Sequence, residues 1–312
     1  MEVVKPVKRN VLLNPGPATT SDAVKYAQVV PDICPREQEF VEIMTHVRED
    51  LVKVVHGDPD TYTAVIFTGS GPIVQDVLVN SLVTEGKKIC VVNNGAYAAR
   101  MVEIAGYYHI PCIDITFPST GLPDLETVRE TLEKDPDIAV VAAVHHETGT
   151  GVLNPIKEIG QMAHDNGAVF VVDTISTYGL MPIDINEQNI DFLMSSAQKG
   201  LAGMTGASWT VGKIAEIVKS KDYPTRSYYC NLFMQYDFFD RVGEMHFTPP
   251  VQTVYALQQA VKEYFEEGEQ ARWERLTGCW EAIHQGLAEI GLKTVIDKAI
   301  QGHLVVTVQA PE

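Results

Sequence analysis

Short apolar runs alternate with helical segments from residue 64 to residue 212, and this alternation leaves few folds open. The run at 64–67 precedes PIVQDVLVNSLV, KKICVVNN precedes GAYAARMVEIAGYY, PCIDIT precedes LETVRETLEKD, and IAVVAAVHH precedes NPIKEIGQMAHDNG. AVFVVD, DFLMSS and ASWTVG complete the series. Strands that are apolar throughout must be covered on both faces. The expected fold is therefore α/β, with a mostly parallel central sheet covered by helices. Ligands of such sheets sit beyond the carboxyl ends of the strands. Ser70 and Gly71, Tyr97, Thr148, Asp173 and Lys199 each follow or end a strand, so the topology gathers them along one rim.

The flanks are less regular. Pro15, Gly16 and Pro17 force an extended path, so residues 1–20 read as an N-terminal arm. FVEIMTHVREDLVKVV has helical spacing. YPTRSYYCNLFMQYDFF has no clean period and reads as an irregular, partly buried excursion. TPPVQTVYALQQAVKEYFEEG and EQARWERLTGCWEAIHQGLAEIG read as helices, and LKTVI and HLVVTVQ as strands. The expected organisation is a large domain over 21–265. Residues 266–312 would form a linking helix and the start of a small second α/β domain that reads as incomplete at Glu312.

A net charge of −17 argues against a nucleic-acid or anionic-membrane partner, since both need a basic face. Five scattered cysteines without a CxxC pair read as reduced thiols of a cytoplasmic protein. The N-terminus lacks the apolar core of a signal peptide, and no apolar run reaches membrane-spanning length.

The lysine at 199, set among small residues after a strand, and the acid closing VFVVD are the pair that pyridoxal 5′-phosphate requires. Lys199 would capture the cofactor's aldehyde, and Asp173 would keep the ring nitrogen protonated. Tyr97 is a candidate ring-stacker, and Ser70 and Gly71 are a candidate phosphate nest at a helix start. Thr148 and Gln198 can reach a ring edge or a phosphate oxygen. The FTGSGP turn itself is neither GxGxxG, nor a Walker loop, nor GxSxG, and by itself could be a plain strand-to-helix turn. Taken singly, Asp173 could make a turn, Lys199 could lie on the surface and Tyr97 could pack. His145, His146 and Glu147 have no metal-ligand spacing and read as structural, and His164 with Asp165 as helix-end residues.

With these residues in place, the chain resembles the class-V small-aminotransferase group of fold-type I pyridoxal-phosphate transferases. The stretches that carry the likeness are LLNPGPATTSDAVK, CPREQEF, FTGSGP, NNGAYAARMVEIAG, HHETGTGVLNPIKEIG, VVDTISTYGLMPID, DFLMSSAQKG and FTPP. The nearest likeness is to the branch that moves the amino group of 2-aminoethylphosphonate to pyruvate. The resemblance implies small amine and 2-oxo acid substrates, with Lys199 and Asp173 catalytic. It also implies Tyr97 on the ring, Thr148 at its edge, and Ser70, Gly71 and Gln198 at the phosphate. Thr248 would be lent by a neighbouring subunit, which implies a homodimer with shared sites. Two departures stand out: Pro72 replaces a donor common in the group, and no arginine follows Arg275 to grip a substrate acid. Glyoxylate-using aminotransferases and a non-catalytic relative of the same fold are the alternatives. Cysteine desulfurases fit poorly, because Gln198 and Tyr97 stand where they carry histidine.

Overall fold

A computed structural model describes residues 8, 10 and 12–310. Expectations for the rest of the N-terminal arm and for the last two residues lie outside the described residues. Helices α1 (Asp22–Tyr26) and α2 (Gln38–Lys53) lead into β1 (Tyr62–Gly69), α3 (Pro72–Leu82), β2 (Lys88–Asn93), α4 (Ala96–Tyr107) and β3 (Cys112–Thr116). Next come α5 (Leu125–Lys134), β4 (Ile138–Val144), the short strands β5 (His146–Glu147) and β6 (Val152–Leu153), and α6 (Ile156–Asp165). The sequence continues with β7 (Val169–Asp173), β8 (Phe192–Ser196), β9 (Gly206–Lys213) and α7 (Ile214–Lys219). Helices α8 (Leu232–Val242), α9 (Val251–Glu267) and α10 (Glu269–Glu289) follow.

The main sheet has the order β1-β9-β8-β7-β4-β2-β3. Strands β3, β2, β4, β7 and β8 are mutually parallel, and β9 runs antiparallel to both β8 and β1. Strand β1 therefore points the same way as the parallel set, which puts the carboxyl ends of β1, β2, β4, β7 and β8 on one rim. Strands β4, β7 and β8 are almost wholly buried, as their unbroken apolar sequences require. Helix α2 turns Phe40, Met44, Val47 and Leu51 inward, one stripe at helical spacing. Helix α3 is buried nearly all round, between β1 and helices α4 and α8.

Two local features differ from expectation, and one is new. The aromatic stretch 223–239 is irregular only as far as Asn231. Asn231 accepts a hydrogen bond from the Met234 N–H (2.9 Å) and caps α8. Leu232, Gln235 and Phe239 are the buried stripe of that helix, and the aromatics between them blur its period. LKTVI and HLVVTVQ form no strands among the described residues: one isolated antiparallel bridge, Thr294 with Val308, joins them. The small hairpin β5–β6 was not foreseen, because two residues per strand carry no period.

Candidate active site

Lys199 follows β8 in a tight loop. Its N–H donates to Ser196 O (3.2 Å), its carbonyl accepts from Ala202 N–H (2.9 Å), and Gly203 N–H returns to Ala197 O (2.7 Å). The arm lies directly over the lysine. Ala18 N–H donates to Gln198 O at 2.8 Å, and Lys199 Nζ lies 3.5 Å from Pro15 O. Gly16 has φ of 133°, a conformation that favours glycine, and a Cβ there would stand 2.5 Å from Lys199 Nζ, so the arm passes close to the amine. A cavity of about 160 Å³ opens beside the amine, walled by Asn14, Pro15, Gly16, Leu304 and Val305. Burial lowers the Lys199 ammonium's pKa from its ordinary value, Asp173 works against that, and Arg100 adds to it.

Asp173, 3% exposed, ends β7, close enough to Lys199 for each charge to act on the other. Its Oδ1 accepts the Ile175 N–H (2.9 Å) and its Oδ2 accepts Gln75 Nε2 of α3 (2.7 Å). Burial still pushes the carboxyl up to about 6, although these donors, Arg100 and Lys199 all oppose the shift. Asp173 is thus a buried acid short of positive charge. That is the environment a protonated ring nitrogen completes.

Gln75 also reaches Tyr97 O (3.3 Å), which ties the head of α4 to Asp173, and the Arg100 guanidinium lies 5.0 Å from the Tyr97 ring centroid. Thr148 is buried in the β5–β6 turn. Its neighbour Glu147 is wholly buried against Gly95, at the start of α4. Burial pushes the Glu147 carboxyl up to about 7. The N–H groups of Tyr97, Gly149 and Ala98 oppose this, without closing hydrogen bonds of good geometry, while the Asp173 charge reinforces it. His145 and His146 are buried and rest on Thr177 Oγ1 (3.0 Å) and Ser176 Oγ (3.1 Å). Burial pulls them down to about 3 and about 4, so both are neutral at physiological pH.

The Gly69–Gly71 turn is fixed to the lysine loop by two hydroxyls. Ser208 donates to Gly69 O (2.9 Å) and Ser196 to Gln198 Oε1 (2.6 Å), with the two oxygens 2.8 Å apart. Gly71 packs against Ile175, two residues past Asp173. Pro72 brings no N–H, and the N–H groups of Ile73 and Val74 turn back to Ser70 O and Gly71 O (2.9 and 3.1 Å). The exposed Ser70 hydroxyl and the N–H groups of Ser70 and Gly71 are the donors this turn has left to present. The structure thus brings Lys199, Asp173, Tyr97, Gln198, Ser70 and Gly71 to one rim. Thr248 stands apart, exposed in the loop before α9.

The family model of aminotransferase class V matches residues 22–311. The chain belongs to the class-V aminotransferases. It is 33% identical over 309 residues to the 2-aminoethylphosphonate–pyruvate transaminase of Bacteroides fragilis strain YCH46, covering 98% of this chain and 85% of the relative. The enzyme of that name from Klebsiella pneumoniae is 34% identical, over 97% of this chain and 82% of its own. Among solved structures, alanine–glyoxylate aminotransferase from Nostoc sp. superposes with a TM-score of 0.91 at 26% identity, covering 99% of this chain and 82% of that one. The fold is the fold-type I transferase architecture expected from the sequence.

Three residues around the candidate site carry roles that the sequence reading did not give them. Gln75 sits in an apolar helix yet bridges Asp173 and Tyr97. Arg272, buried at the start of α10, donates to Gly179 O and Gly200 O (3.1 and 3.2 Å) and so anchors the loop after Lys199. Glu147 is the third. Among the described residues no cluster of ligating side chains could hold a metal, and no helix is long and apolar enough to cross a membrane.

Proposed function

We propose that this aminotransferase uses pyridoxal 5′-phosphate to move the amino group of 2-aminoethylphosphonate to pyruvate, giving phosphonoacetaldehyde and L-alanine. The observation that carries the cofactor reading is the buried Asp173 carboxyl, held by Gln75 and Ile175 and short of a cation, electrostatically coupled to a lysine whose ammonium is destabilised by burial. The donor and acceptor are supported by relatives of that name that span nearly the whole chain.

In this reading the cofactor, when bound, supplies an electron sink for the carbon next to nitrogen. The protein does the rest. Lys199 Nζ would hold the cofactor through its aldehyde carbon. As the free amine it would be the general base that takes the proton from the amine-bearing carbon of the substrate and hands it on. Its lowered ammonium pKa leaves more of the free amine for that task. Asp173 holds the ring-nitrogen proton, and Gln75 fixes the carboxylate. Tyr97 would cover one ring face and Thr148 would bond the ring edge. Ser70, Gly71 and Gln198 would receive the phosphate, and Thr248 of a second copy would complete that pocket in a homodimer. The exposed Tyr228 and Tyr229 lie against Phe247, next to Thr248, an aromatic surface suited to such a contact. The cytoplasm, which keeps its five unpaired cysteines reduced, is the compartment we assign.

A second reading, alanine–glyoxylate transfer, is favoured by the Nostoc sp. structure. A donor panel separates the two: 2-aminoethylphosphonate, alanine and serine, each with pyruvate or glyoxylate as acceptor. We expect 2-aminoethylphosphonate with pyruvate to give the highest kcat/KM and to bleach the near-visible band of the lysine-bound cofactor. A higher kcat/KM for alanine with glyoxylate overturns the donor assignment.

A further inference from the structure

Helix α10 carries Trp273, Thr277, Trp280 and His284 on one face, at spacings of four, three and four residues. The imidazole of His303 lies between the two indoles. Its ring centroid is 5.4 Å from Trp273, with planes 2° apart, and 4.2 Å from Trp280, with planes 22° apart. Thr277 Oγ1 is 3.3 Å from His303 Nδ1. The preceding Gln301 is buried, accepts the Trp280 Nε1 hydrogen (3.2 Å) and donates to Ile296 O (2.7 Å). The cluster therefore holds residues 301–303 against α10.

The other side of the same segment meets the active site. Gly302 N–H donates to Gly151 O (3.0 Å), beside the β5–β6 turn that carries Thr148. Leu304 and Val305 wall the cavity at Lys199. Arg272, immediately before Trp273 on α10, anchors the loop after Lys199 through Gly200 O. Helix α10 thus sets both sides of the cavity, one through Arg272 and one through His303.

We propose that His303, clamped between Trp273 and Trp280, is a positioning residue that sets the Leu304–Val305 wall opposite Lys199 and thereby the affinity of the substrate. The inference rests on the aminotransferase reading, but not on which amine is the donor. A wall that touches substrate equally before and during the chemical step changes KM and leaves kcat alone.

The test compares the cofactor-loaded wild type with His303→Ala and His303→Phe, using whichever donor the wild type turns over fastest. His303→Phe keeps a flat ring between the indoles, whereas His303→Ala removes it. The aromatic contact that holds the wall bounds the loss of substrate affinity at about tenfold. We expect His303→Ala to raise KM for both the amine and the 2-oxo acid by about tenfold. Its kcat and near-visible absorbance should stay close to wild type, and His303→Phe should restore KM to within about threefold. Two of the three tryptophans flank His303, so substrate-induced change in indole fluorescence supplies a binding constant independent of turnover. It should weaken in parallel with KM. A lowered melting temperature in His303→Ala with both KM values unchanged overturns the proposal, as does a fall in kcat at constant KM.

Discussion

Replacing Asp173 by asparagine should stabilise the cofactor-free protein at high pH while disabling the enzyme. Burial moves the Asp173 carboxyl from an ordinary 3.8 up to about 6. The folded state then binds its proton more tightly than the unfolded chain does, so wild-type stability falls as pH rises from about 4 to about 6 and levels off above. The whole loss is about 3 kcal/mol, of which about 1.4 kcal/mol falls between pH 5 and pH 8. In D173N that pH-dependent loss disappears. The new amide can accept from Ile175 N–H and, after a flip of Gln75, donate to Gln75 Oε1, which is unpartnered in the wild type. A flip costs the Gln75–Tyr97 bond, about 1 kcal/mol, at every pH. The pH dependence of the difference is therefore a cleaner quantity than the difference itself. Denaturant unfolding of both apo proteins at pH 5 and pH 8 measures it. The gap should shift by about 1.4 kcal/mol in favour of D173N at pH 8. With cofactor added, D173N should show a kcat lower by orders of magnitude. A gap that stays constant from pH 5 to pH 8 would refute the placement of an unneutralised carboxyl at this site.

Glu147→Gln should remove a second loss of stability, on the rise from about 4.5 to about 7, since Glu147 is raised mainly by burial; pH-dependent unfolding of the apo variant checks the sign. Ser208→Ala breaks the hydroxyl link between Gly69 O and the Ser196–Gln198 pair, and should weaken cofactor binding several-fold with little change in fold, as measured by equilibrium dialysis. Mixing Thr248→Ala with Lys199→Ala protomers should restore activity above the mean of the two parents, because one site of each hybrid dimer is then intact; the absence of any gain contradicts the shared site.

Much of this site was legible because strand ends announce themselves. A run of four or five apolar residues that stops at Asp173, or at the serines before Lys199, can point its last side chain only at the rim of the sheet. Which strands share that rim follows from their being parallel. The supporting residues were not legible, because their partners are distant in sequence. Gln75 looks like an isolated polar residue in a buried helix until Asp173, 98 positions later, is placed beside it. Arg272 reads as a solvated charge on an amphipathic helix, yet it is buried with two carbonyls from separate loops. The tail at 292–309 misled in the opposite direction. Its β-branched residues suggest strands, but the segment is held by Gln301 and His303 against α10 rather than by a ladder. Local propensity decides little where a side-chain cluster does the anchoring.

The attachment point of the cofactor is the most direct test of the whole account. The protein loaded with pyridoxal 5′-phosphate is reduced with borohydride, digested and mapped by mass spectrometry. The reduced cofactor is expected on the peptide containing Lys199 and on no other lysine. Stoichiometric labelling of a different lysine, or of none, contradicts this assignment.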